Sequence, residues 1–124
     1  MNTIKNAFRI LAPAGLLVIG NSVGAQDAAA GKQVFEQCAA CHSVDDRNGV
    51  GPSLKGVVGR KSGVSPGFHY SSAMKRAGLV WDDKVLNDYV ADPQKVVPGN
   101  VMPYSGIADA KQRKDLIAYL KTLR

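Results

Sequence analysis

Between residues 27 and 42, apolar, thiol and imidazole side chains fall at Val34, Phe35, Cys38 and His42, the i, i+1, i+4, i+8 spacing of one helical face. With Asp27 as cap, this pattern predicts a helix from about residue 28 to 41. The next stretch, residues 43–70, carries Gly49, Gly51, Pro52, Gly56, Gly59, Gly63, Pro66 and Gly67, a density that forbids long regular elements and predicts a wrapped loop. Ser71 or Ser72 then caps a short helix ending at Gly78. Asp82 opens another, with Val85, Leu86, Tyr89 and Val90 on one side and Asp92-Pro93 as its stop. After an irregular stretch, Asp109 and Gln112 read as a capping box for a terminal helix whose buried stripe is Leu116, Ile117, Leu120 and Leu123. Nothing alternates as strand. The expected class is all-α, with three main helices, one or two short ones, and long loops packed over something large.

The first quarter of the chain follows a different logic. Lys5 and Arg9 precede an apolar run from Ile10 to Ile19, and Val23-Gly24-Ala25 supplies small residues before Gln26. This is the order of a secretory signal peptide, so residues 1–25 are expected to be removed and residues 26–124 to form one domain. The competing reading, a membrane anchor, suffers from a run about half as long as a spanning helix that contains Pro13 and Gly15. Export implies a periplasmic location in a Gram-negative cell. The signal holds two of the sixteen basic residues and none of the ten acidic ones, leaving fourteen against ten, a net +4. That mild excess suits an acidic protein partner and is too dispersed for nucleic acid.

The strongest chemical signal is Cys38-Ala39-Ala40-Cys41-His42. Two thiols three residues apart share a helical face, so both can add to the vinyl groups along one edge of a porphyrin, while the next residue brings an imidazole over the iron. Other readings compete: a thiol redox pair, half of a zinc site, or a structural disulfide. A zinc site needs four ligands, and beyond these three residues the chain offers only His69 as a further donor of the usual kind. A thioredoxin-like pair belongs at the start of a helix after a strand, whereas the preceding residues here read as helix. Covalent haem c is the favoured reading, with His42 as fifth ligand.

For the sixth position the candidates are Met102, Met74 and His69. Met102 lies in Val97-Pro98-Gly99-Asn100-Val101-Met102-Pro103-Tyr104, too irregular for a helix and stiffened by prolines on both sides. A thioether fixed there is a soft, neutral ligand, and His/Met ligation raises the potential. Met74, on a short helix, reads more simply as a core filler, and His69 as a loop histidine.

Taken together, the pentapeptide, Gly51-Pro52-Ser53-Leu54, Trp81, Pro98-Gly99-Asn100-Val101-Met102 and Asp115-Leu116-Ile117-Ala118-Tyr119-Leu120 make the chain resemble class I cytochrome c, closest to the mitochondrial and bacterial c2 type. The resemblance spans essentially the whole of residues 26–124. It implies a small cytochrome c fold around one haem c attached through Cys38 and Cys41, with His42 and Met102 on the iron. It further implies that the Pro52 carbonyl accepts the other imidazole N–H of His42, and that Arg60, Tyr70 and Trp81 hold a buried propionate. Tyr89 matches a tyrosine beside the methionine sulfur, and Asn100 stands where the family usually has threonine. Gly31 and Tyr119 match the close crossing of the first and last helices.

The resemblance also implies a function: a soluble one-electron carrier rather than an enzyme, monomeric, meeting membrane complexes only transiently. Quinol–cytochrome c reductase would be the donor, and a terminal oxidase or a reaction centre the acceptor. A haem peroxidase, a gas-binding protein and a fixed subunit of a dehydrogenase complex are the rival functions. Two departures stand out. Met74 falls where the family usually has an asparagine, and no Lys or Arg lies between Lys95 and Lys111, where relatives carry part of a lysine ring. Docking is therefore expected through an apolar patch of Val101, Pro103, Tyr104 and Ile107, with weak electrostatic steering.

Overall fold

The computed structural model describes residues 26–124, so the signal-peptide reading of residues 1–25 lies outside the described residues. Five helices follow in order: α1 (Ala28–Phe35), α2 (Ser72–Arg76), α3 (Asp83–Ala91), α4 (Pro93–Val96) and α5 (Ala110–Leu120). Their starts follow from side chains that satisfy the first free backbone N–H groups. The carboxylates of Asp27, Asp82, Asp92 and Asp109 and the hydroxyl of Ser71 each accept from N–H groups two or three residues on. At Asp109 only that half of the expected capping box forms, the bond from Gln112 N–H at 2.8 Å.

The fold departs from the sequence expectation at two helices. α1 stops at Phe35 rather than continuing to residue 41. Beyond it the ladder tightens, with Ala39 N–H shared between Phe35 and Glu36 carbonyls (3.1 and 3.3 Å), and the Cys41 carbonyl is drawn away to accept Gly51 N–H at 2.8 Å. The other departure is α4, which the sequence left irregular. Asp92 ends α3 with its own N–H and restarts the chain with its carboxylate, while Pro93 at the first turn needs no N–H partner.

The core is built on the crossing of α1 and α5. Phe35 packs against Tyr119 with ring centres 5.2 Å apart and planes tilted by 53°, and Leu116, Ile117 and Leu120 are buried beneath. Leu123, expected in the same stripe, lies past the helix end and is only half-buried. The close approach depends on Gly31, where an added Cβ would fall 1.9 Å from the Asp115 carbonyl oxygen. The loop between α1 and α2 is pinned to the stretch before α3 by a single antiparallel bridge, Lys61 with Val80. Around it Trp81 N–H donates to the Arg60 carbonyl (2.9 Å) and Gly59 N–H to the Trp81 carbonyl (2.9 Å).

Candidate functional site

All ten residues singled out from the sequence, Cys38, Cys41, His42, Pro52, Arg60, Tyr70, Trp81, Tyr89, Asn100 and Met102, line one mainly apolar cleft of about 270 Å³. Residues separated by up to 64 positions thus meet because the α1–α2 loop and the segment after α4 both fold back over the helix pair.

On the cysteine side, a single turn carries the motif. Cys41 and His42 N–H both donate to the Cys38 carbonyl, at 3.1 and 3.0 Å. His42 Nδ1 lies 2.7 Å from the Pro52 carbonyl oxygen. A carbonyl only accepts, so Nδ1 is the donor here, and in the neutral ring the lone pair lies on Nε2. Gly51 lies flat against the ring: a Cβ there would sit 2.5 Å from Cε1 and 2.8 Å from Nδ1. The glycine before Pro52 is therefore a packing requirement of the imidazole, which the motif alone did not reveal.

On the methionine side, Tyr89 Oη donates to Met102 Sδ at 3.8 Å. Burial pushes the Tyr89 phenol up to about 12, which keeps it a donor throughout the neutral range. Asn100 is buried, and its amide is occupied by the chain itself: Nδ2 donates to the Pro93 and Val97 carbonyls (2.9 Å each) and Oδ1 accepts Met102 N–H (2.9 Å). At the mouth, Tyr104 Oη donates to Gln37 Oε1 at 2.6 Å.

A third group closes the cleft from the α1–α2 loop. The Arg60 guanidinium donates to the Lys55 and Ser53 carbonyls (3.0 and 2.9 Å), yet its Nε–H is buried without a partner. Tyr70 Oη accepts Ser65 N–H at 3.0 Å, which leaves its own proton available. Trp81 packs at 4.9 Å on Tyr89, linking this group to the methionine side. An orphaned cationic donor and a phenol with a spare proton, lining the same cleft, are the chemistry that receives a carboxylate. The residues present therefore fit a haem with a buried propionate.

The rival readings fare less well. Among the described residues, no three His, Cys, Asp or Glu side chains gather as a metal-binding group, so zinc lacks donors. Redox-active C-x-x-C thiols have lowered pKa values, whereas burial, and then the neighbouring Cys41, push the Cys38 thiol up. His69 is exposed and away from the cleft, while Met74 lines it. Ile107, expected at the docking surface, is instead buried, because its N–H pairs with the Val90 carbonyl (2.8 Å) and draws the side chain inward.

Comparison with known proteins agrees with this geometry. The sequence model of the cytochrome c family matches residues 28–124. Cytochrome c2 of Blastochloris viridis is 46% identical over 112 residues, covering 86% of this chain and 88% of that protein. Cytochrome c2 of Rhodomicrobium vannielii is 43% identical over 124 residues, covering 98% and 97%. Among solved structures, cytochrome cH from Methylobacterium extorquens superposes with a TM-score of 0.76 at 52% identity, covering 77% of this chain and 98% of that one. The helical fold and its cleft define a c-type cytochrome, which binds one covalent haem c. The chain belongs to the cytochrome c family, and its work is electron transfer with redox partner proteins rather than catalysis.

Proposed function

We propose that Cys38 and Cys41 would hold the haem by thioether bonds, that His42 Nε2 and Met102 Sδ would be its two iron ligands, and that Pro52 fixes the imidazole through Nδ1. Arg60, Tyr70 and Trp81 take the buried propionate, and Tyr89 and Asn100 shape the methionine side. The observation carrying this assignment is that the free Nε2 and the thioether Sδ, both soft or borderline donors, face the cleft that also receives the two thiols. Bound there, the haem supplies a one-electron Fe(III)/Fe(II) couple. The protein's part is to keep both ligands in place, exclude water with Tyr89, Trp81 and Leu86, and leave one edge of the cleft near the surface.

The donor is quinol–cytochrome c reductase and the acceptor a terminal oxidase or a photosynthetic reaction centre, met in the periplasm after cleavage near Ala25. The cytochrome c2 relatives and the export-type residues 1–25 support this. Docking uses the rim of the cleft, where Val50 and Val101 are 74% and 72% exposed and Pro103 and Tyr104 add uncharged surface. Visible spectra of the purified protein in both redox states test the ligand set. The ferric iron–sulfur charge-transfer band should be present in the wild type and in Met74→Ala and His69→Ala, and absent in Met102→Ala. A band surviving in Met102→Ala overturns the assignment.

A further inference from the structure

The Asn100 side chain is bound up in the chain itself. Its two amide protons hold the Pro93 and Val97 carbonyls and its oxygen holds Met102 N–H, so all its donors are used on the backbone around Met102. Gln94 grips the same turn from the solvent side: Nε2 donates to the Asn100 carbonyl (2.9 Å) and Oε1 accepts Gly99 N–H (3.2 Å). The turn between them carries Gly99 at φ +84°, closed by Asn100 N–H on the Val97 carbonyl (3.1 Å). Both side chains anchor it to α4, whose Pro93 is fully buried and whose first turn is capped by Asp92. A threonine, usual at this position in the resembling family, has one hydroxyl proton and cannot hold both carbonyls.

We propose that Asn100 and Gln94 act as a two-sided clasp on residues 97–102, positioning Met102 and setting how readily its sulfur yields the sixth position to a competing ligand. The proposal rests on Met102 being the sixth ligand. When Asn100 is truncated, Met102 N–H loses its acceptor, and the Pro93 and Val97 carbonyls each lose one of two donors, keeping only the Val97 and Asn100 backbone N–H groups, so the segment lowers its free energy by opening to water. Gln94 is exposed, and its removal loosens the turn with little effect on the rest of the fold.

The test is imidazole binding to the ferric holo-protein, with amide hydrogen exchange at Gly99 and Met102 and thermal unfolding measured alongside. Gln94→Ala should bind imidazole about three- to tenfold more tightly and exchange faster at Gly99, with an almost unchanged unfolding midpoint. Asn100→Ala should bind it at least about tenfold more tightly and lose protection at Met102, and Asn100→Thr should resemble Asn100→Ala more than wild type. Should Asn100→Ala fail to fold, Gln94→Ala carries the test alone. Wild-type imidazole affinity and Gly99 exchange in Gln94→Ala overturn the clasp. A charge-transfer band that survives Met102→Ala overturns instead the ligand assignment on which the clasp depends.

Discussion

Tyr104 and Gln37, 67 residues apart, join the two sides of the cleft mouth through a 2.6 Å hydrogen bond between Tyr104 Oη and Gln37 Oε1. Gln37 directly precedes Cys38, and Tyr104 closes the segment that bears Met102. Burial, and then the nearby Cys38, push the Tyr104 phenol up, so it stays a donor at neutral pH. Tyr104→Phe keeps the ring and removes only this bond. At a partly exposed site the expected loss of stability is about 1 kcal/mol or less, while amides of residues 101–104 exchange faster. Denaturant unfolding and hydrogen exchange check both halves, and unaltered exchange would show that the bond pins nothing.

Gly31 separates two reasons for keeping a glycine. It sits in a helix with ordinary backbone angles, so its requirement is space: a Cβ would meet the Asp115 carbonyl oxygen at 1.9 Å and Tyr119 Cβ at 2.9 Å. Neither atom is the end of a flexible chain. Gly59 has open space around it but a φ of +85°. Gly31→Ala should therefore cost about 3 kcal/mol or more by forcing α1 and α5 apart, and Gly59→Ala about 1 kcal/mol through backbone strain. Equal losses in chemical denaturation would contradict the assignment of space to one and conformation to the other.

The caps show why part of this fold is legible from the chain and part is not. Asp27, Ser71, Asp82 and Asp109 act on N–H groups two or three residues away, so local rules find them, as they find the stripe of Leu116, Ile117 and Leu120. His42 is read from the pentapeptide and Met102 from its proline-bounded loop, whereas Arg60 comes only through the family resemblance, which stores long-range geometry that periodicity does not. Gln37 and Gln94 escaped both routes, because an exposed glutamine has no pattern and its partner is set by how loops return. Ile107 was misplaced for the same reason. Its burial depends on a backbone bond to Val90, and nothing in the residues around it signals that pairing.

Asp115 makes acid sensitivity a property of the helix crossing. Its side chain is only 6% exposed, accepts from Lys111 Nζ (2.6 Å), and takes Asp27 N–H at 3.0 Å. The Lys111 bond, and then the Asp27 N–H, hold its carboxyl below the ordinary range. A folded value below the unfolded one contributes stability that is complete above about pH 4 and is lost as pH falls through the folded value. Asp115→Asn can still accept the Asp27 N–H but loses the charge. The stability difference between wild type and Asp115→Asn should therefore shrink steadily below pH 4. Asp45, lowered to about 2 chiefly by its bond from Arg47, is a contrast: both side chains are largely exposed, and Asp45→Asn should change the acid limb little. Unfolding curves collected across the acid range decide between the two.

The cleft rim lacks the charges that would make docking strongly salt-dependent. From Val96 to Ala110 the only charged residue is Asp109, and its carboxylate caps α5. Five other carboxylates pair with Arg47, Lys55, Lys84, Lys111 and Lys121, which reduces the field of those cations at a distance. The second-order rate of electron transfer with the proposed donor, quinol–cytochrome c reductase, should fall less than about threefold between roughly 10 and 150 mM salt. A drop of a hundredfold would mean that the remaining lysines steer the encounter and that the neutral rim is not the contact.

Met74 puts a thioether where the resembling family usually has an asparagine amide. It lines the cleft from α2, half-buried, with its N–H taken by the Ser71 hydroxyl at 3.1 Å, so its backbone is fixed and only the side chain varies. A thioether has no N–H to donate and tolerates a dry surround, whereas an amide brings two donors and an acceptor that recruit water or polar neighbours. A more polar surround favours the more highly charged ferric iron, because desolvation penalises net charge. Met74→Asn should therefore lower the midpoint potential while leaving the iron–sulfur charge-transfer band intact, since Met102 is untouched. Met74→Leu, which keeps the site apolar, should leave the potential close to wild type. Redox titration of the three proteins checks the order, and an unchanged potential in Met74→Asn would show that this position does not tune the iron.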